Sequence, residues 1–294
     1  MSFAQAAGEL NVTPAALSFQ IKSLEEHLGQ PLFRRLNRAV ELTEAGRALM
    51  PGASEGFTAL AQAWRAARRI GDVTTLTVTA GPGFTAKWLA PRLFDFAQKH
   101  PKIELRFTAS LRIMDFERDE IDVAIRFGKS DDAGLFSEPI INEWMTPMMT
   151  PALARTYKTP GDLAHAVLLH QDDTSFLNSP GDWGAWFRAA GLDPAPKGGP
   201  RFSQADHAVD AALAGAGVVL GRLSITYGAL SDGSLVAPFP LALTTDAQYR
   251  FVCPQGAESR PQVKAFLDWI LAQTAAMTHF ETGRQIVHTA KIAD

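Results

Sequence analysis

Apolar and polar positions near the start of the chain recur at helical spacing. Ser2 and Gln5 form a capping box, which predicts a first short helix, and Asn11 interrupts its pattern. Thr13 then provides a second N-cap, with Pro14 at the first helical position. One stripe of the second helix is apolar, and its members are Leu17, Ile21, Leu24 and Leu28. The pattern therefore predicts two short helices joined by a tight turn, with this stripe packed inward.

The opposite face of the second helix begins with small and polar residues. A helix, a tight turn and a second helix with such a start form the arrangement that places a recognition helix in the major groove of DNA. The residues of this helix that are predicted to contact DNA are Thr13, Pro14, Ala15, Ser18, Phe19, Gln20 and Lys22. Phe19 donates no hydrogen bond to a phosphate or a base edge, although its ring can contact a thymine methyl group.

A basic hairpin, or wing, is predicted directly after these helices. Two short apolar runs flank a polar turn at Asn37, which is a hairpin pattern. Arg34, Arg35 and Arg38 stand in this segment without an acidic neighbour. Beside a helix-turn-helix we expect them to contact phosphates, which fixes register rather than sequence. A solvated, charged turn is the alternative interpretation.

A long helix is predicted from Thr43, an N-cap followed by the acidic Glu44, to Gly71. Apolar residues follow one another along it at spacings of 4, 4, 3, 4 and 3, namely Leu49, Ala53, Phe57, Leu60, Trp64 and Ala67. This spacing is typical of a coiled-coil seam, and an exposed seam implies a partner helix. The alternative is a helix packed against its own chain.

From residue 73 onward, short apolar strands alternate with helices, which predicts parallel sheets of an α/β protein. A first unit contains strands near 76–80, 103–107 and 121–127, with a helix over 84–99. A second unit contains strands near 144–149, 167–170, 217–220 and 249–253, with helices near 182–190 and 204–214. A further helix over 261–274 buries Val263, Phe266, Leu267 and Ile270.

Composition narrows the class of protein further. The 294 residues include 46% hydrophobic and 20% charged residues, which is typical of a globular protein with two or three domains. The sequence has neither an apolar run long enough to span a bilayer nor a signal peptide, so we expect a cytoplasmic protein. Nucleophile-elbow, phosphate-loop, dinucleotide and zinc-protease motifs are absent, and Cys253 lies in an apolar strand. We therefore expect no enzyme, no cofactor and no metal.

The most specific sequence block lies within the first 46 residues. It comprises Ala6-Ala7-Gly8-Glu9-Leu10-Asn11-Val12-Thr13-Pro14-Ala15-Ala16-Leu17-Ser18, Gln20-Ile21, Leu24-Glu25, Leu28-Gly29, Pro31-Leu32-Phe33 and Leu42-Thr43-Glu44-Ala45-Gly46. On these residues the sequence resembles the LysR-type transcriptional regulators, and the resemblance extends to about Thr274. Residues 122–128 and 54–57 are similar to the branch that contains the glycine-cleavage activator and the β-lactamase regulator.

The resemblance implies a winged helix-turn-helix in residues 1–42 and a dimerisation helix in 43–71. A two-lobed effector domain, similar to periplasmic binding proteins, is expected to follow. Its first lobe spans 72–140 and is completed by 255–275, its second lobe spans 141–254, and 276–294 form an unassigned tail. The implied protein is a homodimer or tetramer whose partners are double-stranded DNA, a small-molecule effector and RNA polymerase.

Members of this family usually carry a further helix before the segment that begins here at Met1. The resemblance therefore leads us to expect either an N-terminally truncated DNA-binding domain or a start codon that is set too late. Two functions remain open at this point. The first is a DNA-binding regulator that senses a small metabolite, and the second is a cytoplasmic sensor of the same family whose shortened head no longer binds DNA.

The effector is expected between the lobes, because open α/β sheets bind ligands at the carboxyl ends of their strands. The predicted ligand-binding residues are Gly83, Phe84, Thr85, Ser110, Arg126, Phe127, Ser203 and Asp206. Arg126 is the main candidate for binding the carboxylate of an anionic metabolite, since a guanidinium group binds it bidentately. A structural salt bridge from Arg126 to Glu120 or Asp122 is the alternative.

Overall fold

The computed structural model describes residues 3–36, 39–69, 74–116, 118–129, 132–172, 176–192, 196 and 198–292. The chain divides into two compact units, residues 1–71 and 72–294, which are treated separately below. Ser2 and its capping box, Asn37 and Arg38 lie outside the described residues.

The first unit contains the predicted helices and hairpin. Its elements in chain order are α1 (Phe3–Glu9), α2 (Pro14–Leu28), β1 (Phe33–Leu36), β2 (Ala39–Leu42) and α3 (Glu44–Arg69). Asn11 makes the tight turn with a positive φ of 53°, a conformation that asparagine tolerates. Thr13 caps α2 by accepting a hydrogen bond from the amide of Ala16 at 3.1 Å, and Gly29 ends α2 in the left-handed conformation.

The apolar stripe of α2 is buried less than its pattern predicts. Leu17 and Ile21 are half-buried, whereas Leu24 and Leu28 remain 50% and 47% exposed. The prediction that the whole stripe packs inward is therefore wrong for these two leucines. The reason is length, because α1 has seven residues and is about 10 Å long, whereas α2 extends for about 22 Å. Helix α1 cannot cover the C-terminal half of α2.

The second unit contains two sheets. In chain order its helices and strands are β3 (Thr75–Ala80), α4 (Pro82–Phe84), α5 (Leu93–Lys99), β4 (Glu104–Ala109), β5 (Val123–Gly128), β6 (Leu135–Ile141), β7 (Met145–Met148), α6 (Pro151–Thr156), β8 (Leu168–Gln171), α7 (Trp183–Ala189), β9 (Arg201–Phe202), α8 (Ala205–Leu213), β10 (Val218–Arg222), α9 (Leu223–Ser231), β11 (Leu241–Thr244), β12 (Gln248–Pro254), α10 (Pro261–Ala275) and β13 (Gln285–His288). The first sheet has the order β4-β3-β5-β12-β6, and the second has the order β13-β11-β7-β10-β8-β9. Each sheet forms one lobe.

Strand β12 corrects the predicted division between the lobes. It pairs antiparallel with β5 and β6 in the first sheet, whereas the predicted second lobe, 141–254, included it. Strand β13 pairs parallel with β11, so part of the tail left unassigned at 276–294 belongs to the second sheet. Both sheets are mixed rather than parallel. The chain passes between the lobes three times, after β6, β11 and α10, and strand periodicity does not reveal such crossings.

The segment between β3 and β4 is helical but irregular. The sequence predicts one helix over 84–99, whereas Thr85–Leu89 form a π-helix and Ala90–Arg92 a 3₁₀ turn before α5. Pro91 lacks the N–H group that a continuous α-helix needs at this point. Leu89 and Phe96 of this segment are fully buried, and Leu93 is half-buried. Of the four residues predicted to be buried in α10, Val263, Phe266 and Ile270 are fully buried, whereas Leu267 is only half-buried.

Candidate functional site

The N-terminal half of α2 presents the predicted DNA-contacting residues to solvent. Thr13, Pro14, Ala15, Gln20 and Lys22 are exposed, and Ser18 is half-buried. The Phe19 side chain is 68% exposed, although apolar side chains of this size are usually buried. Small residues at the start of the helix and longer ones in its second turn leave an open, solvent-exposed surface, which is typical of a recognition helix.

The wing is an antiparallel hairpin of β1 and β2, in which Arg34 faces Glu41 across the ladder. The Arg34 side chain is exposed, and Arg35 lies in β1. The wing is fixed to α2 by Glu25, whose Oε1 accepts hydrogen bonds from the amides of Leu32 at 2.7 Å and Phe33 at 3.0 Å. In the sequence Glu25 stands only as part of the motif Leu24-Glu25, which does not indicate this role.

The wing is also fixed where it joins α3, because Thr43, which lies between β2 and α3, bonds to the segment just before β1. The Thr43 hydroxyl donates to the carbonyl of Pro31 at 2.6 Å, and the Thr43 amide donates to the carbonyl of Leu32 at 2.9 Å. A Cβ atom at Gly46 would lie 2.2 Å from that Leu32 carbonyl oxygen, so no side chain fits there. The recognition helix, wing and long helix are thus joined at one point.

A cavity of about 710 Å³ lies between the two lobes of the second unit, at the carboxyl ends of β3, β4 and β5. Seven of the eight predicted ligand-binding residues line it, namely Gly83, Phe84, Ser110, Arg126, Phe127, Ser203 and Asp206. Thr85 is not among the lining residues. Five basic side chains line the cavity, namely Arg112, Arg126, Lys129, Arg222 and Arg250, against the two carboxylates of Asp132 and Asp206.

Arg126 forms a structural ion pair, as the alternative interpretation anticipated, but with a different partner. Its Nη1 lies 3.2 Å from Oδ1 of Asp132, and its guanidinium group stacks over Phe116 at 5.1 Å. Asp132 also accepts hydrogen bonds from Ser137 at 2.7 Å and from Arg250 at 3.1 Å. Burial raises the pKa of Asp132, but these hydrogen bonds outweigh burial, so its pKa is lowered from the ordinary value.

Arg222 is a basic residue of the cavity that is not among the predicted ligand-binding residues. Its side chain, in β10 of the second lobe, is 4% exposed and stacks over Phe127 of the first lobe at 4.4 Å. Phe127 also packs against Tyr249 at 4.9 Å, and Tyr249 stacks on Phe84 at 4.5 Å. One sequence feature could have indicated Arg222 as a ligand-binding residue. It is the first charged residue at the carboxyl end of an apolar strand, which is where open α/β sheets bind ligands.

Asp206 meets the first lobe near the start of α8. A Cβ atom at Gly83 would lie 3.3 Å from the Asp206 carboxylate, so the two lobes approach closely here. Within the described residues, Asp206 Oδ1 is buried and has no hydrogen-bond partner. Buried polar atoms almost always have a partner. Asp206 therefore places an unsatisfied acceptor on the lining of the cavity.

The Cys253 thiol and the possible metal-ligating side chains do not form a reactive or metal-binding group among the described residues. Burial raises the pKa of the Cys253 thiol to about 12, which leaves it protonated and unreactive at neutral pH. Within the described residues, His, Cys, Asp and Glu side chains do not gather into a group of three that could hold a metal ion. None of the described helices has the length and apolar character needed to cross a bilayer.

Comparison with known proteins identifies the family. A model of the "Bacterial regulatory helix-turn-helix protein, lysR family" matches residues 1–47, and a model of the "LysR substrate binding domain" matches residues 70–275. The chain belongs to the LysR family. LysR-family proteins are transcriptional regulators that bind DNA and small-molecule effectors and form oligomers, so this chain is a DNA-binding regulator with a two-lobed effector-binding domain. The helix-turn-helix favours this function over that of a sensor that does not bind DNA.

LysR-family relatives match nearly the whole chain. The glycine cleavage system transcriptional activator of Escherichia coli (strain K12) is 38% identical over 280 residues, which are 94% of this chain and 90% of the relative. The transcriptional activator AmpR of Rhodobacter capsulatus is 34% identical over 277 residues, covering 93% of this chain and 92% of the relative. The predicted family and the similarity to its glycine-cleavage-activator branch are confirmed.

Solved structures agree on the fold. The effector domain of AmpR from Pseudomonas aeruginosa is 29% identical and covers 70% of this chain and 98% of its own, with a TM-score of 0.57. CrgA, a LysR-type regulator from Neisseria meningitidis, covers 93% of this chain and 94% of its own with a TM-score of 0.53, at 22% identity. The predicted combination of a helix-turn-helix and a two-lobed α/β domain is therefore confirmed.

Proposed function

We propose that this LysR-family regulator reads its operator with α2, contacts phosphates with the wing and senses an anionic metabolite in the cavity between its lobes. The observation that carries the DNA-binding part is the rigid attachment of an exposed recognition helix to a basic wing through Glu25. In this proposal residues 1–42 bind DNA, 43–71 form the dimer and the rest binds the effector. Because it acts on chromosomal DNA, we place the protein in the cytoplasm.

The division of labour between α2 and the wing is tested by two single substitutions. Arg34→Ala removes a phosphate contact, so we expect equally weakened binding to operator and random DNA and a salt slope reduced by about 1. Gln20→Ala removes a contact to a base edge, so we expect a loss of about 1–3 kcal/mol on the operator alone. Fluorescence anisotropy on the chain's own upstream intergenic DNA, across a salt series, measures both effects.

Arg155→Ala is the matched control, because Arg155 is an exposed arginine in α6 of the second unit. It should change neither the affinity nor the salt slope. Equal losses on operator and random DNA from both Gln20→Ala and Arg34→Ala would contradict the division of labour. Absence of specific binding by the unsubstituted chain would contradict the proposed operator recognition itself.

Glu25 is proposed to position the wing rather than to contact DNA. Glu25→Ala leaves the amides of Leu32 and Phe33 without their acceptor, so we expect about 2 kcal/mol of destabilisation. The wing then loses its fixed position, and the salt slope of DNA binding should fall as it does for Arg34→Ala. Glu25→Gln keeps an acceptor oxygen and should restore most of both properties. An unchanged salt slope for Glu25→Ala would show that the wing needs no such support.

The effector part of the proposal rests on the charge and size of the cavity. Basic side chains outnumber carboxylates in its lining, and its volume falls in the range of typical small-molecule sites. Ligand binding shifts the balance between arrangements of the two lobes only if the ligand prefers one of them. Regulation then requires that the affinity for DNA, or the bend of the DNA, changes with ligand.

Oligomer formation is proposed to use α3. Phe57, Leu60 and Trp64 lie on its predicted seam and are 74%, 67% and 71% exposed within the first unit. Exposed apolar side chains at this spacing fit a second copy of the same helix. Assembly of two dimers into a tetramer and contact with RNA polymerase are proposed from the family alone.

A further inference from the structure

The mouth of the effector cavity is unusually apolar for a site lined by so many basic groups. Six large apolar side chains are strongly exposed among the described residues of the second unit, namely Phe94, Leu111, Ile113, Val167, Phe176 and Ile286. Three of the six line this one cavity, and Leu111, Ile113 and Phe176 are 68%, 78% and 55% exposed. Exposed apolar groups that cluster at a concave site usually mark a binding surface.

These three residues, here called the apolar rim, belong to both lobes. Leu111 and Ile113 lie in the loop after β4 of the first lobe, whereas Phe176 follows β8 of the second. The loop is braced, because the Ser110 hydroxyl accepts a hydrogen bond from the Arg112 amide at 3.1 Å and Arg112 binds Asp119 at 2.9 Å. Leu111 and Ile113 are therefore held at the mouth of the cavity by local hydrogen bonds.

The apolar rim continues into the cationic floor of the cavity. The rings of Phe176 and Phe127 pack edge to face with their centroids 6.5 Å apart. The guanidinium group of Arg222 stacks over the Phe127 ring, 4.4 Å from its centroid. A molecule that reaches from the floor to the rim therefore meets a positive charge at one end and apolar side chains at the other. A small hydrophilic anion would occupy the floor and leave the rim in water.

Building on the proposed function, we propose that the effector is an amphiphilic organic anion, with its negative group near Arg222 and an extended apolar group against Leu111, Ile113 and Phe176. A cavity of about 710 Å³ accommodates such a molecule. Burial of the apolar group accounts for the exposed rim, since removing apolar surface from water is favourable. The ligand class thus combines charge recognition on the floor with apolar contacts at the mouth.

Matched probes test this ligand class on the full chain. Titration calorimetry compares octanoate, its short analogue acetate and its neutral analogue octanamide, and fluorescence follows the aromatic anion 1-anilinonaphthalene-8-sulfonate. We expect octanoate to bind at least tenfold more tightly than either analogue, because each analogue lacks one of the two recognised groups. We also expect octanoate to displace the fluorescent anion.

Substitutions locate the binding. The double variant Leu111→Ser, Ile113→Ser should weaken octanoate binding about tenfold and leave acetate affinity unchanged. Both residues are exposed, so the fold should tolerate the substitutions. Phe94→Ser is the control, because Phe94 is 72% exposed but does not line the cavity, and it should change neither ligand. Arg222→Met should weaken both anions. A thermal melt of each variant verifies that it is folded.

Several results would overturn the ligand class. They are octanoate and the fluorescent anion both failing to bind, acetate or octanamide binding as tightly as octanoate, and octanoate affinity unchanged in the rim variant. None of these affects operator binding, which is measured separately by anisotropy. Conversely, rim-dependent octanoate binding that leaves DNA affinity and bending unchanged would support the ligand class and contradict the proposed coupling of the cavity to DNA.

Discussion

Replacing both Phe57 and Trp64 by glutamate is expected to convert the regulator from a dimer into a monomer. Both side chains are more than 70% exposed within the first unit, and both lie on the seam of α3. Burying an aromatic side chain contributes about 2 kcal/mol to the free energy of association, and each residue occurs twice in a symmetric dimer interface. The dissociation constant should therefore rise by at least about a thousandfold, since each 1.4 kcal/mol is a factor of ten.

Analytical ultracentrifugation across a concentration series measures this change. Thr58→Glu is the control, because Thr58 is exposed on α3 but lies outside the seam, and it should leave the dimer intact. DNA binding should fall together with dimerisation, since a monomer contacts one half-site where a dimer contacts two. A double variant that sediments as a dimer would mean that α3 packs elsewhere, which is the alternative the sequence left open.

The second large effect is expected at Asp132. Its side chain is 10% exposed and holds the guanidinium groups of Arg126 and Arg250. Asp132→Asn leaves these two like charges close together without their counter-ion, so the second unit should lose about 3 kcal/mol of stability. Thermal unfolding should show a decrease in Tm of about 6–12 °C for a unit of this size.

The effect of Asp132 should depend on pH in a defined direction. Its folded-state pKa is lowered, so its contribution to stability is complete above the ordinary aspartate pKa of about 3.9. The contribution is lost as the pH falls through the lower, folded-state pKa. The difference in unfolding free energy between Asp132→Asn and the unsubstituted chain should therefore be constant near neutral pH and shrink below about pH 4.

Asp268→Asn provides the comparison, because Asp268 forms an exposed pair with Lys264 at 2.8 Å. Surface pairs of this kind contribute less than about 1 kcal/mol, so Tm should change little. If Asp132→Asn lowers Tm as little as Asp268→Asn does, Arg126 and Arg250 must bind other partners or water. Arg126 would then be available to bind a ligand, as the sequence first suggested.

The sequence predicts local structure well where the signals are local. Thr13, Pro14 and Gly29 place the ends of α2, and the spacing of Val263, Phe266 and Ile270 places the buried face of α10. These signals depend on neighbouring residues, whose geometry a helix determines. The same holds for the hairpin of β1 and β2, whose polar turn joins strands that are adjacent in the chain.

Long-range pairing explains what could not be predicted. The apolar pattern of β12 fits either sheet, and its partner Ile125 lies more than 100 residues away from Phe251. Likewise, nothing near Arg126 in the sequence singles out Asp132 over Glu120 or Asp122, because the choice depends on how the loop before β6 folds back. Arg222 could have been proposed from the strand-end rule, but its stacking on Phe127 required the arrangement of both lobes.

The three crossings between the lobes have a consequence for synthesis of the protein. The helix-turn-helix and α3 form a contiguous unit that is complete once residue 71 has emerged from the ribosome. The effector domain cannot finish its second sheet until β13 is made, because β11 lacks that neighbour until then. At typical translation rates this delay is about 10–40 s. The DNA-binding unit therefore has time to fold, and to meet a second copy, before the nascent chain is able to respond to any metabolite.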